Sequence, residues 1–125
     1  MSTNRTPHEA AEQTWLFQWI AYAQGAHPEL RLCFHIPNEG RRDPRTGHNL
    51  KVQGMRPGVP DIMLPVARGI YHGLFIELKR KKYGRVSEEQ AIWIDRLNRV
   101  GYRAVVCAGW EAARDEILRY LGADA

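Results

Sequence analysis

Cysteine is scarce in this 125-residue chain, which carries only Cys33 and Cys107. Neither belongs to a Cys-x-x-Cys pair or sits near histidines at zinc-binding spacing, so a zinc ribbon and a disulfide framework are both excluded. Both lie in apolar, strand-like runs and read as buried, reduced thiols of a cytosolic protein. No apolar stretch reaches the ~20 residues that cross a bilayer, and no signal-peptide pattern is present, so neither membrane insertion nor export is expected. Internal repeats and low-complexity linkers are missing as well. A single domain over residues 1–125 is expected, large enough for a core of sheet and helices. Acids are locally scarce where bases collect. Between Arg31 and Arg56 six basic residues face two acids, and Lys79 to Arg85 holds five basic residues and no acid, within a net charge of +4 (18 − 14). Such segments suit a polyanion such as nucleic acid, with a solvated basic face as the alternative. A small-molecule substrate is not indicated.

An apolar fraction of 44% and four Trp residues exclude a disordered chain. A first helix is expected from about Pro7 to Gln24, with Thr6 as N-cap, Pro7 at the first helical position and Leu16, Phe17, Ile20 and Ala23 as its apolar stripe. His27-Pro28 ends it. Leu30 to Ile36 reads as a strand, closed by Pro37-Asn38-Glu39-Gly40. A long polar stretch to about Pro57 reads as a functional loop. Asp61–Leu64 and Gly73–Lys79 read as two further strands, and Ser87-Glu88-Glu89-Gln90 opens a helix that stops at Gly101. Tyr102–Ala108 is a fourth strand and Trp110–Leu121 a last amphipathic helix. The order is helix, three strands, helix, strand, helix. The strand reached through a helical crossover is expected to run parallel to its neighbour, giving a small α/β fold.

The chemistry concentrates in two short acidic segments, Gly58-Val59-Pro60-Asp61 and Phe75-Ile76-Glu77-Leu78-Lys79, whose carboxylates are sixteen residues apart. Side chains alternate along a strand, so Glu77 and Lys79 share a face. Charges inside such an apolar run are costly unless they are paired or bind a metal. Two carboxylates about 5 Å apart repel by roughly 3 kcal/mol at an effective dielectric near 20, and a divalent cation relieves that cost. Phosphodiester hydrolysis needs a positioned water, neutralised phosphate charge and help for the leaving oxygen. Asp61 and Glu77 are therefore the expected metal ligands, with the Leu78 carbonyl as a third. Lys79 is expected to orient water or stabilise negative charge, and Mg²⁺ or Mn²⁺ is the expected cofactor. The alternatives are a turn-closing aspartate and an edge strand with its polar face in water. For the phosphate contacts the candidates are Arg41, Arg42, Arg45, Lys51, Arg80, Lys81 and Lys82, which supply affinity and salt dependence rather than base reading.

Taken in order, these residues resemble the VRR-NUC family, a branch of the PD-(D/E)XK nucleases. The resemblance rests on Gly58-Val59-Pro60-Asp61, Glu77-Leu78-Lys79, Ser87-Glu88-Glu89-Gln90, the Ile36–Gly40 turn and an acid on the first helix, and it spans about Glu9 to Leu118. It implies a restriction-endonuclease-like core, a mixed sheet flanked by helices. Compact members of this kind resemble phage-type enzymes that cut branched DNA as homodimers, so the implied activity is a Holliday (four-way) junction resolvase in a bacterial or phage-infected cytoplasm. Flap, nick or single-strand cleavage and a non-catalytic DNA-binding module are the alternatives. The resemblance adds Glu9 as the first-helix acid, by the spacing Glu9-x-x-x-Gln13, although Glu9 also completes a capping box with Thr6 and Glu12 is the substitute. It likewise adds Gln90, whose amide would hold water or phosphate, although Ser87-x-x-Gln90 is a capping box by itself. Asn38 is either a turn former or a DNA contact. His35 and His72 read as structural, and Trp15, Trp19, Trp93 and Trp110 as core or dimer surface.

Overall fold

The structure, a computed structural model, describes residues 8–37, 49 and 51–122. Helix α1 (Glu9–Ala23) leads through a 3₁₀ turn (Pro28–Leu32) into a two-residue strand β1 (Phe34–His35), then β2 (Ile62–Leu64) and β3 (Leu74–Lys79). Helix α2 (Glu88–Arg99), strand β4 (Arg103–Ala108) and helix α3 (Trp110–Leu121) complete the order. The sheet runs β1-β2-β3-β4, antiparallel at the first two pairings and parallel between β3 and β4. The α2 crossover is long enough to return β4 beside β3 in the same direction. This is the mixed α/β sheet, flanked by helices, that the sequence implied.

Alternation along β3 divides the core in two. Leu74, Ile76 and Leu78 face α1 and α3, where Leu16, Ile20, Ala113 and Ile117 close over them. Phe75 faces the other way, onto Leu97, Trp93 and Ile94 of α2. All six residues of β3 are buried, so it is a central strand, and the edge-strand reading of Glu77 and Lys79 fails. Each fully buried leucine or isoleucine here contributes about 1.5–3 kcal/mol, and that packing pins the strand on which Glu77 and Lys79 ride.

Two expectations differ. Asn49, Lys51 and Val52 are helical inside the polar stretch read as a loop. Leu30–Ile36 is not a continuous strand: Pro28 starts a 3₁₀ turn that buries Leu30, and ladder pairing is confined to Phe34 and His35. Proline at the first turn favours helical φ and needs no N–H partner, and this local preference overrides the β-tendency of the residues that follow. Cys107 is buried as expected. Cys33 lies just past the 3₁₀ turn, half-buried, and burial pushes its thiol up to about 12. The proposed first-helix cap, Thr6-Pro7, falls outside the described residues, and α1 is described from Glu9. Trp15 is partly exposed, whereas Trp19 and Trp110 pack against the core on the α1 and α3 side and Trp93 on the α2 side.

Candidate active site

The β2–β3 register pairs Ile62 with Ile76 and Met63 with Phe75. Continued by one residue, it sets Asp61 directly opposite Glu77, both on the α2 face. Directly opposed side chains in an antiparallel pair come within about 5 Å, and like charges there repel. The next step sets Pro60 opposite Leu78. Proline has no N–H, so the ladder bond to the Leu78 carbonyl has no donor at that position, and the Leu78 N–H instead donates to Asp61 Oδ2 at 2.8 Å. The approach to Asp61 depends on Gly58, whose φ is +93° and where a Cβ would lie 2.6 Å from the Glu89 backbone. Only glycine lets this turn press against the start of α2 without displacing it. On the other side, the Ile36 N–H (2.6 Å) donates to the Asp61 carbonyl and His35 Nδ1 lies 3.0 Å from it.

Glu77 is 1% exposed. Its Oε2 accepts from the Gln90 amide at 2.9 Å and pairs with Lys79 Nζ at 3.4 Å, whereas its Oε1 is buried with no hydrogen-bond partner among the described residues. Burial first, and the Asp61 carboxylate second, push the Glu77 carboxyl up to about 8, against the opposing pull of Lys79. Such a group is stabilised by a cation at the free oxygen. A cavity of ≈ 300 Å³ opens there, lined by Glu9, Ala10, Gln13, His35, Asp61, Glu77, Leu78 and Gln90. An adjoining groove of ≈ 480 Å³ along α1 is larger but mostly apolar and holds no carboxylate, so the chemistry belongs to the smaller cavity. Among the described residues no three His, Cys, Asp or Glu side chains form a metal cluster. The donor set of two carboxylates and a backbone carbonyl, all oxygen, fits a hard divalent cation that keeps several waters.

The comparisons agree with this geometry. Residues 8–111 match the VRR-NUC domain. The chain belongs to the VRR-NUC family. It is thus a nuclease of the PD-(D/E)XK type, a hydrolase with DNA as partner, in a family whose nucleases generally depend on divalent metal. A solved structure described as a VRR_NUC domain protein superposes with a TM-score of 0.82 at 27% identity, covering 96% of this chain and 93% of that one. No curated protein gives a significant match. No helix among the described residues is long and apolar enough to cross a membrane.

Within this VRR-NUC domain the two first-helix acids separate. Glu9 lines the cavity, one turn before Gln13. Glu12 is 0% exposed and turned away from it, accepting the Trp110 N–H at 2.8 Å. Gly109, at the N-cap of α3, has no side chain to cap with, so Glu12 supplies the missing acceptor and a favourable charge from another helix. Gln90 does not choose between its two readings. Its amide oxygen accepts from the Ser87 N–H (2.9 Å) and its backbone N–H donates to Ser87 Oγ (3.1 Å), while its amide nitrogen holds Glu77. The amide therefore grips the carboxylate, where the sequence suggested water or phosphate.

His35 and Gln13 are cavity residues that the sequence reading did not assign to the site. A histidine two residues before the Pro37 turn carried no distinguishing signal, because the pairing of β1 with β2 is what brings it to Asp61. His72 is structural, its ring edge-on to Tyr102 at 5.5 Å. Of the basic candidates, Lys51 and Lys82 are exposed and Arg80 lies over the Tyr83 ring. Lys81 Nζ is 3.1 Å from Glu111 Oε1, which shares its charge. Asn38, Arg41, Arg42 and Arg45 lie outside the described residues.

Proposed function

We propose that residues 1–125 form one endonuclease domain, dependent on Mg²⁺ or Mn²⁺, that hydrolyses phosphodiester bonds in branched DNA, with the four-way junction as the favoured substrate and a cytoplasmic homodimer as the acting form. The observation that carries the catalytic part is the buried Glu77, one oxygen gripped by Gln90 and Lys79 and the other with no hydrogen-bond partner among the described residues. Asp61, Glu77 and the Leu78 carbonyl would hold the cation, which would supply charge neutralisation at the phosphate and lower the pKa of a bound water. Gln90 fixes the rotamer of Glu77. Lys79 keeps its ammonium at the carboxylate and offers positive charge to the phosphate as negative charge develops. Glu9, at the cavity wall, is placed to accept a proton from water. Arg80, Lys82 and Lys51, with Asn38, Arg41, Arg42 and Arg45, contact the DNA backbone. The preference for branches and the dimer rest on the resemblance to compact VRR-NUC nucleases, and a C2 dimer suits two symmetric cuts.

The test is end-labelled four-way junction, flap and linear duplex incubated with Mg²⁺ or Mn²⁺, beside Asp61→Ala. Paired symmetric nicks confined to the junction and absent from the variant are expected. Cutting of flaps or linear DNA instead would discard the resolvase and keep the nuclease, and binding without metal-dependent cutting would leave only a DNA-binding module.

A further inference from the structure

We infer that Tyr83 is a stacking residue for an unpaired nucleobase next to the cleavage site, an inference that takes its DNA partner from the reading above. Tyr83 sits in the turn between β3 and α2 with φ +66°, the only non-glycine with positive φ among the described residues. Left-handed backbone disfavours a bulky side chain, and glycine or asparagine is what the turn alone would select. Burial does not repay the strain, because Tyr83 is 75% exposed. Unrepaid strain of this kind is a mark of functional positions.

The turn is fixed relative to the catalytic strand. Gly84 packs so closely that a Cβ there would lie 3.0 Å from both Lys79 Cβ and the Arg80 carbonyl oxygen. Tyr83 is therefore held one residue from a contact with Lys79, the lysine paired with Glu77. The Arg80 guanidinium lies 5.7 Å from the centre of the Tyr83 ring and covers one face, so the other stays open to solvent. From Arg80 to Arg85 the turn carries four basic residues and no acid. An aromatic face backed by guanidinium, among cations that follow a phosphate chain, fits a nucleobase. Paired bases keep their faces stacked on each other, so the ring reaches only a base freed at a branch, flap or end.

The experiment uses a duplex with a single-stranded flap carrying 2-aminopurine at its first unpaired position, a fully paired duplex of the same sequence, and Ca²⁺ in place of Mg²⁺. Wild type and Tyr83→Trp should quench 2-aminopurine on binding, and Tyr83→Ala and Tyr83→Gly should not. Flap affinity should fall about tenfold in the Ala and Gly variants, with paired duplex held within about twofold by the unchanged phosphate contacts. Tyr83→Gly should melt at or above wild type, because glycine adopts φ +66° without strain. Lost flap selectivity together with retained stability is a result that a merely structural tyrosine would not give. Retained quenching and flap affinity in Tyr83→Gly would overturn the inference, as would an equal loss on flap and duplex. Cleavage in Mg²⁺ of the four-way junction, the substrate expected to be cut, separates the two readings. Junction cleavage without Tyr83-dependent quenching on the flap sinks the stacking role alone, and quenching with no metal-dependent cleavage of either junction or flap supports stacking and sinks the proposed cleavage reaction.

Discussion

Two of the three buried glutamates among the described residues meet opposite fates. Glu116, on α3, is 6% exposed, and both of its oxygens are engaged: Arg103 donates to it from β4 (3.0 and 3.4 Å) and Arg119 from one turn along α3 (3.0 Å). Burial raises its pKa, but hydrogen bonds from the two guanidiniums outweigh that and hold the carboxyl below the ordinary range. Glu77 is more deeply buried and faces the Asp61 carboxylate, which together push its carboxyl up to about 8, and one of its oxygens has no hydrogen-bond partner among the described residues. Glu12 is buried too, and its Oε2 likewise has no hydrogen-bond partner among the described residues, yet it serves the fold by capping α3. Neither burial nor a free oxygen tells the roles apart; the facing Asp61 carboxylate and the cavity at Glu77 do.

Substituting each in turn should separate the roles most sharply. In Glu77→Gln the amide copies the protonated acid that predominates near neutral pH without metal. Metal-free melting at pH 7 should hold within about 1 kcal/mol, while cleavage falls by at least about a thousandfold through loss of a metal ligand. In Glu116→Gln the reverse is expected. Two guanidiniums lose their charged acceptor, costing about 2 kcal/mol of stability, a value moderated because both arginines reach solvent. Cleavage per folded molecule should stay near wild type. Melting curves and single-turnover cleavage on the two variants check both halves, and a large stability loss in Glu77→Gln would erase the distinction.

The same contrast sets two limbs of pH dependence with opposite sign. Glu77 has a folded pKa of about 8, above the ordinary carboxylate value of 4.5, so folding takes up a proton between the two. Its contribution is complete below pH ~4.5, declines as pH rises to about 8, and is flat beyond, by at most about 1.4 kcal/mol per pH unit. Glu116 has a lowered folded pKa. Its contribution is complete above the unfolded value and is lost as pH falls through the folded one. Metal-free melting against pH should therefore fall at both ends, with Glu77→Gln removing the alkaline limb and Glu116→Gln the acid one. Because the metal requires ionised Glu77, the melting rise that Mg²⁺ or Mn²⁺ produces should grow from pH 6 to 8 in wild type and stay flat in Glu77→Gln. A metal effect independent of pH would place the cation elsewhere.

What the sequence disclosed follows the range of the interactions. Among the described residues, periodicity and stop signals located α1, α2, α3 and every strand except the one at Leu30–Ile36, where a proline-started turn prevails over ladder pairing, and they missed the helical residues Asn49, Lys51 and Val52. Asp61, Glu77 and Lys79 were legible because a short Gly-Pro turn and strand alternation are local rules. The separation of Glu9 from Glu12 was not, since it depends on Glu12 meeting the Trp110 N–H ninety-eight residues away. Nor was the double use of Gln90, because a capping box accounts for the residue fully until the amide nitrogen is seen on Glu77. Single-sequence patterns state which side chains share a face. They do not state what arrives at that face from another element.

Closed and open charges recur in the basic turn after β3, where the expected effects are smallest. Lys81 is paired with Glu111 at 3.1 Å and its stem lies over Gly109, while Lys82 is exposed beside it. A lysine that neutralises one phosphate releases counterions and adds about 0.9 to the slope of log affinity against log salt on duplex DNA. Lys82→Ala should lower that slope by about one contact, and Lys81→Ala by less, since Glu111 already takes up part of its charge. Glu111→Gln should free Lys81 for DNA, tightening binding at low salt and steepening the slope. Equal slopes for Lys81→Ala and Lys82→Ala would mean that DNA displaces Glu111 from Lys81. An unchanged slope when Arg80, Lys81 and Lys82 are replaced together would move the DNA off this turn altogether.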